Sequence, residues 1–395
     1  MGLDLPEVLL VLGVLLTAAA ALSGWLHGTV LSISVLSLAA GVGLAAAGVI
    51  DVQPGDDWLV VVIELALVMT LFADGLLVEE ELLRERWHAP VRTLAAAMPI
   101  TLVLAGLAAK SLFPDLSWAE AFLLGAVLSP TDPVVTSSVV SNPGVPAAVR
   151  HTLNLESGLN DGLALPFVLF FLILAQPGGD AGRSAVELAG EAVVGAGIGA
   201  GLGAGAGWLV GRLPGGSMTA RYEGVYALGI ALLSFGVSEA TFGNGFIAAF
   251  VAGLALATSR PEIPEAFLGF NESVSATLQV ATFVLFGALV VKTGLDASVA
   301  AIVAFIAFML LVARPAAVLL SFVGTRIPRS EQMFMAWFGP KGVASMLFAL
   351  LAAESKAPHG TVVFEVASFV ILVSIVAHGL TDTVGANWIA RRMRT

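Results

Sequence analysis

The sequence predicts an all-α polytopic membrane protein of about 13 transmembrane helices, with inverted repeats and two crossed discontinuous helices. Three observations predict it. Of 395 residues, 58% are hydrophobic and only 12% are charged, and the mean hydropathy is +0.95; soluble domains carry about 25% charged residues. Apolar runs long enough for the roughly 20-residue helix a bilayer needs recur from end to end, without the alternation that marks membrane barrel strands. Two of the runs are interrupted by proline and glycine, and each interruption carries a charge of opposite sign.

Taken in order, the apolar segments span roughly 6–24, 28–50, 58–79, 91–112, 117–141, 146–175, 185–212, 222–240, 243–259, 270–291, 297–324, 331–354 and 361–388. The N-terminus, MGLDLPEVLL, lacks the basic start of a cleaved signal peptide and reads as the lead-in to the first helix. The joins are short, so no soluble regulatory domain is expected and the chain reads as one membrane domain over 1–395. An odd number of crossings places the termini on opposite sides. With the C-terminal RRMRT in the cytoplasm, twelve Lys and Arg residues fall on that side and four on the other, as the basic-residue rule for short loops requires. This predicts a multi-pass protein of the cytoplasmic membrane, with the lipid bilayer as its surroundings. Arg314 and Lys341 are left within apolar segments.

Ionisable groups inside membrane helices usually face the protein interior or a water-filled path. Glu64, Asp74, Asp132, Glu156 and Asp161 lie at or near mid-segment, and Glu365 lies nearer an end. The densest group is LNLESGLNDGLALPF, residues 153–167. On a helix Glu156 and Asn160 share one face, and Ser157 and Asp161 share another about 100° round. These are oxygen donors of the kind hard cations choose, without the His and Cys of a zinc or iron site.

In the fifth segment Pro130 and Pro133 flank Asp132. In the twelfth, Gly339, Pro340 and Gly342 surround Lys341. Paired interruptions of this kind point to an inverted-repeat transporter with its site near the midplane. A carboxylate complements helix N-termini and a cation complements C-termini. Arg314, always charged, needs a carboxylate; leaving Asp161 and Asp132 for a cation pairs it with Glu156.

TDP at 131–133, Glu156-Ser157-Gly158-Leu159-Asn160-Asp161, the ARP containing Arg314 and the late GPKG together resemble the monovalent cation:proton antiporters, in their NhaP-type branch. The resemblance spans nearly the whole chain. It implies thirteen helices, with a core domain (roughly 91–175 and 297–388) holding two crossed, unwound helices. It also implies a scaffold (roughly 1–79 and 185–259) forming a homodimer. It implies exchange of Na⁺, with Li⁺ or K⁺ as alternatives, for H⁺ by alternating access, the two competing for Asp161. Asp132, Ser157 and the backbone around Thr131 would complete the cation site. Asn160 stands where electrogenic relatives carry a second aspartate, implying electroneutral exchange. Glu156 and Arg314 match a structural ion pair, and Lys341 offsets charge at the helix break. Asp74, in LFADG, aligns loosely with a position that is acidic in some members. Such a carrier would serve pH homeostasis and sodium tolerance. The chain departs from the family in having Lys341 where many members have arginine, and in lacking the long cytoplasmic tail of animal exchangers.

A sodium-coupled symporter of an organic solute shares inverted repeats and broken helices, but few polar or aromatic groups flank the acidic cluster. A channel fits one deep carboxylate cluster less well than a carrier does. No HExxH or GxSxG occurs and the five histidines are scattered, so no enzyme is expected, nor any cofactor or nucleic-acid partner. The run GAGIGAGLGAGAG, 195–207, suits close helix packing.

Overall fold

A chain in hydrocarbon must satisfy its own backbone polar groups, and helices do this within each segment. The computed structural model describes residues 5–26, 33–53, 56–82, 88–132, 144–212, 219–259, 265–294 and 296–392, and among these there is no strand. Helices α1 (Leu5–Leu26), α2 (Ile33–Ala46) and α3 (Asp57–Leu82) are followed by α4 (88–112), α5 (Trp118–Val127) and α6 (Ala147–Ala175). Then come α7 (Ala181–Arg212), α8 (Ala220–Glu239), α9 (Gly245–Ser259), α10 (Glu265–Lys292) and α11 (299–321). The described chain ends with α12 (Arg329–Trp337), α13 (Val343–Glu354) and α14 (Gly360–Arg392).

Among the described residues, six helices are long and apolar enough to cross a bilayer: Trp58–Leu76, Ala89–Leu112, Ala147–Ala175, Ala185–Arg212, Val299–Ser321 and Gly360–Ile389. Helices α5 and α13, of 10 and 12 residues, are apolar but span only half the ~30 Å hydrocarbon layer at 1.5 Å per residue. Exposed aromatic residues gather near helix ends, with Trp58 and Trp118 opening α3 and α5, and Trp208, Tyr222 and Trp388 near the ends of α7, α8 and α14. Such rings favour the membrane–water interface.

Two packing groups are evident. Helices α2, α3, α7, α8, α9 and α10 pack against one another, and α4, α5, α6, α11, α12, α13 and α14 do likewise, with α3 touching both α6 and α13. Glycine sets the close approaches in the first group. Gly195, Gly199 and Gly203 of α7 press onto the backbone of Asn244, Ala248 and Ala252 in and before α9. The alternate glycines Gly197, Gly201 and Gly205 have open space where a side chain would stand.

The second group shows a repeated order. In α4 a π-helical turn, Thr93–Ala97, precedes Met98–Pro99; in α11 a π-helical turn, Met309–Ala313, precedes Arg314–Pro315. The Met98 N–H bonds Thr93 O and the Arg314 N–H bonds Met309 O, each five residues back. Proline lacks the N–H its helix would use and crowds the carbonyl four residues earlier, here Ala95 and Leu311, so the helix absorbs the misfit as one wide turn. The two proline-marked helices pack together. Each is followed by a helix that breaks at proline and then by a long helix, α6 or α14.

Replacing Gly199 by Leu should force α7 from α9 and destabilise by about 1–3 kcal/mol, while Gly201→Leu should leave stability unchanged. Thermal unfolding of the two purified variants in detergent checks the contrast.

Candidate functional site

Helix α5 ends at Val127 and its chain runs extended through Pro130, Thr131 and Asp132; Pro133, the second proline of that motif, lies outside the described residues. Opposite, α12 ends at Trp337 and α13 begins at Val343, leaving residues 338–342 outside either helix. Each break exposes backbone groups that have lost their partners, and each supplies partners to the other. The Lys341 Nζ donates to Pro130 O at 3.0 Å, and the Asp132 N–H donates to Pro340 O at 2.9 Å. Asp132 Oδ2 accepts from the Val343 N–H, the first of α13, at 3.3 Å. Ser345 Oγ donates to Val127 O at 2.8 Å. The carboxylate thus stands at a helix N-terminus and the ammonium beyond a helix C-terminus, the favourable ends of both dipoles.

The glycines of GPKG make room for buried charges. A side chain at Gly342 would collide with the Asp132 carboxylate, and one at Gly339 with the Arg314 guanidinium. Arg314 Nη1 lies 2.7 Å from Glu156 Oε1, both residues being buried, and its Nη2 donates to Phe338 O at 3.1 Å. The ion pair ties α6 to α11 and caps the end of α12.

Helix α6 presents its polar face to the first break. Asn160 Nδ2 donates to Thr131 Oγ1 at 2.7 Å, and Ser157 Oγ lies 3.4 Å from the same hydroxyl. Asp161 is 6% exposed, and no hydrogen-bond partner reaches its carboxylate among the described residues. The charges acting on it are the carboxylates of Asp132 and Asp74 and the ammonium of Lys341. Asp74 lies over Gly158, with Oδ1 3.5 Å from where a side chain there would begin, one turn before Asp161. Asn160 Oδ1 is also buried without a hydrogen-bond partner among the described residues. Thr131, Ser157 and Asn160 are thus joined by hydrogen bonds, while Asp132, Asp74 and Lys341 act on Asp161 one turn further along α6.

Two other acids of the apolar segments, the half-buried Glu64 and the buried Glu365, have other partners. Glu64 sits beside Glu239 of α8, and Glu239 Oε1 accepts from the Gly245 N–H at the start of α9. Glu365 accepts from the amides of Asp296 (3.1 Å) and Ala297 (3.2 Å), capping the entry to α11. Sequence reasoning missed Glu120, which closes a capping box with Ser117 at the head of α5 and accepts from the His359 N–H at 2.7 Å. It also missed three polar residues in apolar helices: Ser345, which bonds the first break at Val127 O, and Ser374 and His378, which bond the second. Among the described residues no group of three or more His, Cys, Asp or Glu residues is arranged to hold a metal ion.

Two interrupted stretches thus satisfy one another beside Asp161, a buried carboxylate without a hydrogen-bond partner among the described residues. Residues 11–385 match the transmembrane sodium/hydrogen exchanger family, and the chain belongs to that family. It is similar to the K⁺/H⁺ antiporter NhaP of Alkalimonas amylolytica, 27% identical over 82% of this chain and 56% of that protein. It is also similar to the K⁺/H⁺ antiporter NhaP2 of Shewanella oneidensis, 27% identical over 98% of this chain and 68% of that protein. The chain thus spans little more than half the length of the first of these relatives. The fold matches that of the sodium proton antiporter MjNhaP1 from Methanocaldococcus jannaschii, with a TM-score of 0.80 at 20% identity over 97% of this chain and 99% of that one.

Removing one member of a buried ion pair strands the other. Glu156→Gln or Arg314→Met alone should destabilise by about 3–5 kcal/mol, and Glu156→Leu with Arg314→Met should recover most of the loss. Thermal unfolding of the three variants in detergent measures this.

Proposed function

We infer that this chain exchanges a monovalent cation for H⁺ across the cytoplasmic membrane, the two competing for Asp161. The observation that carries the reading is the Asp161 carboxylate itself, buried, unbonded among the described residues, acted on by Asp132, Asp74 and Lys341, and borne by the helix whose Ser157 and Asn160 bond Thr131 of the first break. A carboxylate so placed must be neutralised to cross a dry barrier, by a proton or by a small cation held among oxygen atoms. Asp132 spends one oxygen on the head of α13 and shapes the site while helping to hold the cation. Ser157, Thr131 and Asn160 Oδ1 offer the neutral oxygens, and Asp74 adds negative charge over Gly158. Na⁺, Li⁺ and K⁺ are all cargo of the right chemistry; K⁺ gains weight from the two bacterial relatives and Na⁺ from the archaeal one.

The repeated order of α4–α5–α6 and α11–α12–α13–α14 supports inverted repeats and thirteen crossings, with the two broken helices crossing at the site. The second packing group, 88–175 and 299–392, is the core that moves. The first group, now including α10, is the scaffold, through which two copies associate as a homodimer. Rocking of one against the other exposes Asp161 to each side in turn, with the C-terminus in the cytoplasm. A single carboxylate beside the Asn160 amide makes the exchange one for one and electroneutral. The symporter reading is set aside, because the family is one of cation/proton exchangers.

In proteoliposomes, addition of Na⁺, Li⁺ or K⁺ should dissipate an imposed pH gradient, and Asp161→Asn should abolish the signal while the protein still elutes as a single folded species; activity retained in that variant refutes the scheme. The rate should not change when a valinomycin-clamped voltage is imposed in the Na⁺ assay, whereas a voltage-dependent rate would rule out one-for-one exchange.

A further inference from the structure

In an unbroken helix the Lys341 N–H would bond Trp337 O, four residues back. The break separates this pair, and two side chains of α14 hold its halves. His378 Nε2 lies 2.9 Å from Trp337 O, and the Lys341 N–H donates to Ser374 Oγ at 3.1 Å. Ser374 and His378 are four residues apart on one face of α14, and Ser374 Oγ lies 3.2 Å from His378 Nδ1. Ser374, His378 and Lys341 are buried, at 0%, 2% and 3% exposed.

We propose that Ser374 and His378 form a wedge that replaces the severed 337–341 hydrogen bond and thereby positions Lys341 and its break against Asp132. Trp337 O can only accept, so Nε2 carries the hydrogen and donates. Nδ1 faces the Ser374 hydroxyl and, at 2.7 Å, the Ser374 carbonyl. A bare Nδ1 accepts from the hydroxyl and a protonated one donates to the carbonyl, and Nε2–H stays on Trp337 O in both states. The wedge is therefore a positioning device rather than a proton carrier. The charges facing the ring come from Arg314 of α11 and Lys341 of the break. With them His378 lines a small cavity, closed on its other sides by Met309 and Leu310 of the π turn, Trp337 and Val370.

The consequence passes to the cation through bonds already described. Trp337 O and Lys341 N bracket the segment whose Lys341 Nζ holds Pro130 O and whose Pro340 O holds the Asp132 N–H. Letting that segment drift moves Asp132, whose charge acts on Asp161, and Thr131, which bonds Asn160 and Ser157 of the same helix. The inference rests on the exchange reading for its transport assay, and a second measurement stands apart from it.

The test uses the full chain in proteoliposomes with Na⁺ and K⁺ as probes, in wild type, His378→Ala, His378→Gln, Ser374→Ala and the double alanine variant. His378→Ala should raise the half-saturating cation concentration about tenfold, the effect of losing one buried hydrogen-bond partner. A loss of folded protein would lower only the maximal rate. Gln, which can donate to Trp337 O, should restore the wild-type value without altering the pH profile. The double variant should be no worse than His378→Ala alone, since both members serve one link. Independently of transport, amide hydrogen exchange across 338–343 should rise in His378→Ala and Ser374→Ala and return in His378→Gln. Unchanged half-saturation and unchanged exchange in both alanine variants would overturn the wedge, as would a His378→Gln variant with a shifted pH profile. If wild type moves no protons in response to either cation, the exchange reading fails, and the hydrogen-exchange arm alone decides the wedge.

Discussion

The structure turns on the exchange of partners between two interrupted helices. Ending a helix inside a membrane leaves carbonyls and amides that hydrocarbon cannot satisfy, and each would cost several kcal/mol left alone. Here the orphans of one break are met by the other: Lys341 Nζ on Pro130 O, Ser345 Oγ on Val127 O, the Asp132 carboxylate on the Val343 N–H. Neither interruption could stand without its counterpart. Arg314, Ser374 and His378 follow from the same requirement, since they take up Phe338 O, the Lys341 N–H and Trp337 O that the exchange leaves over, and Glu156 balances the charge of Arg314.

This explains how a polar site survives among helices with so little charge. Around the breaks the buried charge is committed to backbone or to an ion pair, and Asp161 is left over. Its neighbours on α6 are fixed from outside the helix, Asn160 and Ser157 by Thr131 of the break and Glu156 by Arg314 of α11. A carboxylate on a helix held at several points has little freedom to seek its own partner.

Much of this was legible in the sequence. Hydropathy marks the helical character of the chain, and six of the described helices have the length a bilayer imposes on a crossing. Asp132 between prolines and Lys341 between glycines announced the two breaks, since chain breakers and charges are both expensive at such depth. Less was legible where the cause is three-dimensional. Glu64 looks as buried as Asp161 along the chain, yet it sits beside Glu239 at the end of α8, and Glu365, nearer a segment end, caps the entry to α11. Nothing local to Ser374 or His378 tells that Trp337 and Lys341 lie across from them; their spacing of four in an apolar helix was the available signal. The π turns were hidden too, because Pro99 and Pro315 sit in segments that read as continuous.

The two charges at the breaks also differ from an ordinary ion pair in one respect. Asp132 answers a helix beginning and Lys341 answers a helix ending, so the direction in which the backbone runs dictates the sign at each position. Exchanging the two side chains would keep the net charge and roughly the volume, yet set each against the wrong end of a helix. Their identities are written by chain polarity, and a mirror arrangement of charge is closed to this fold.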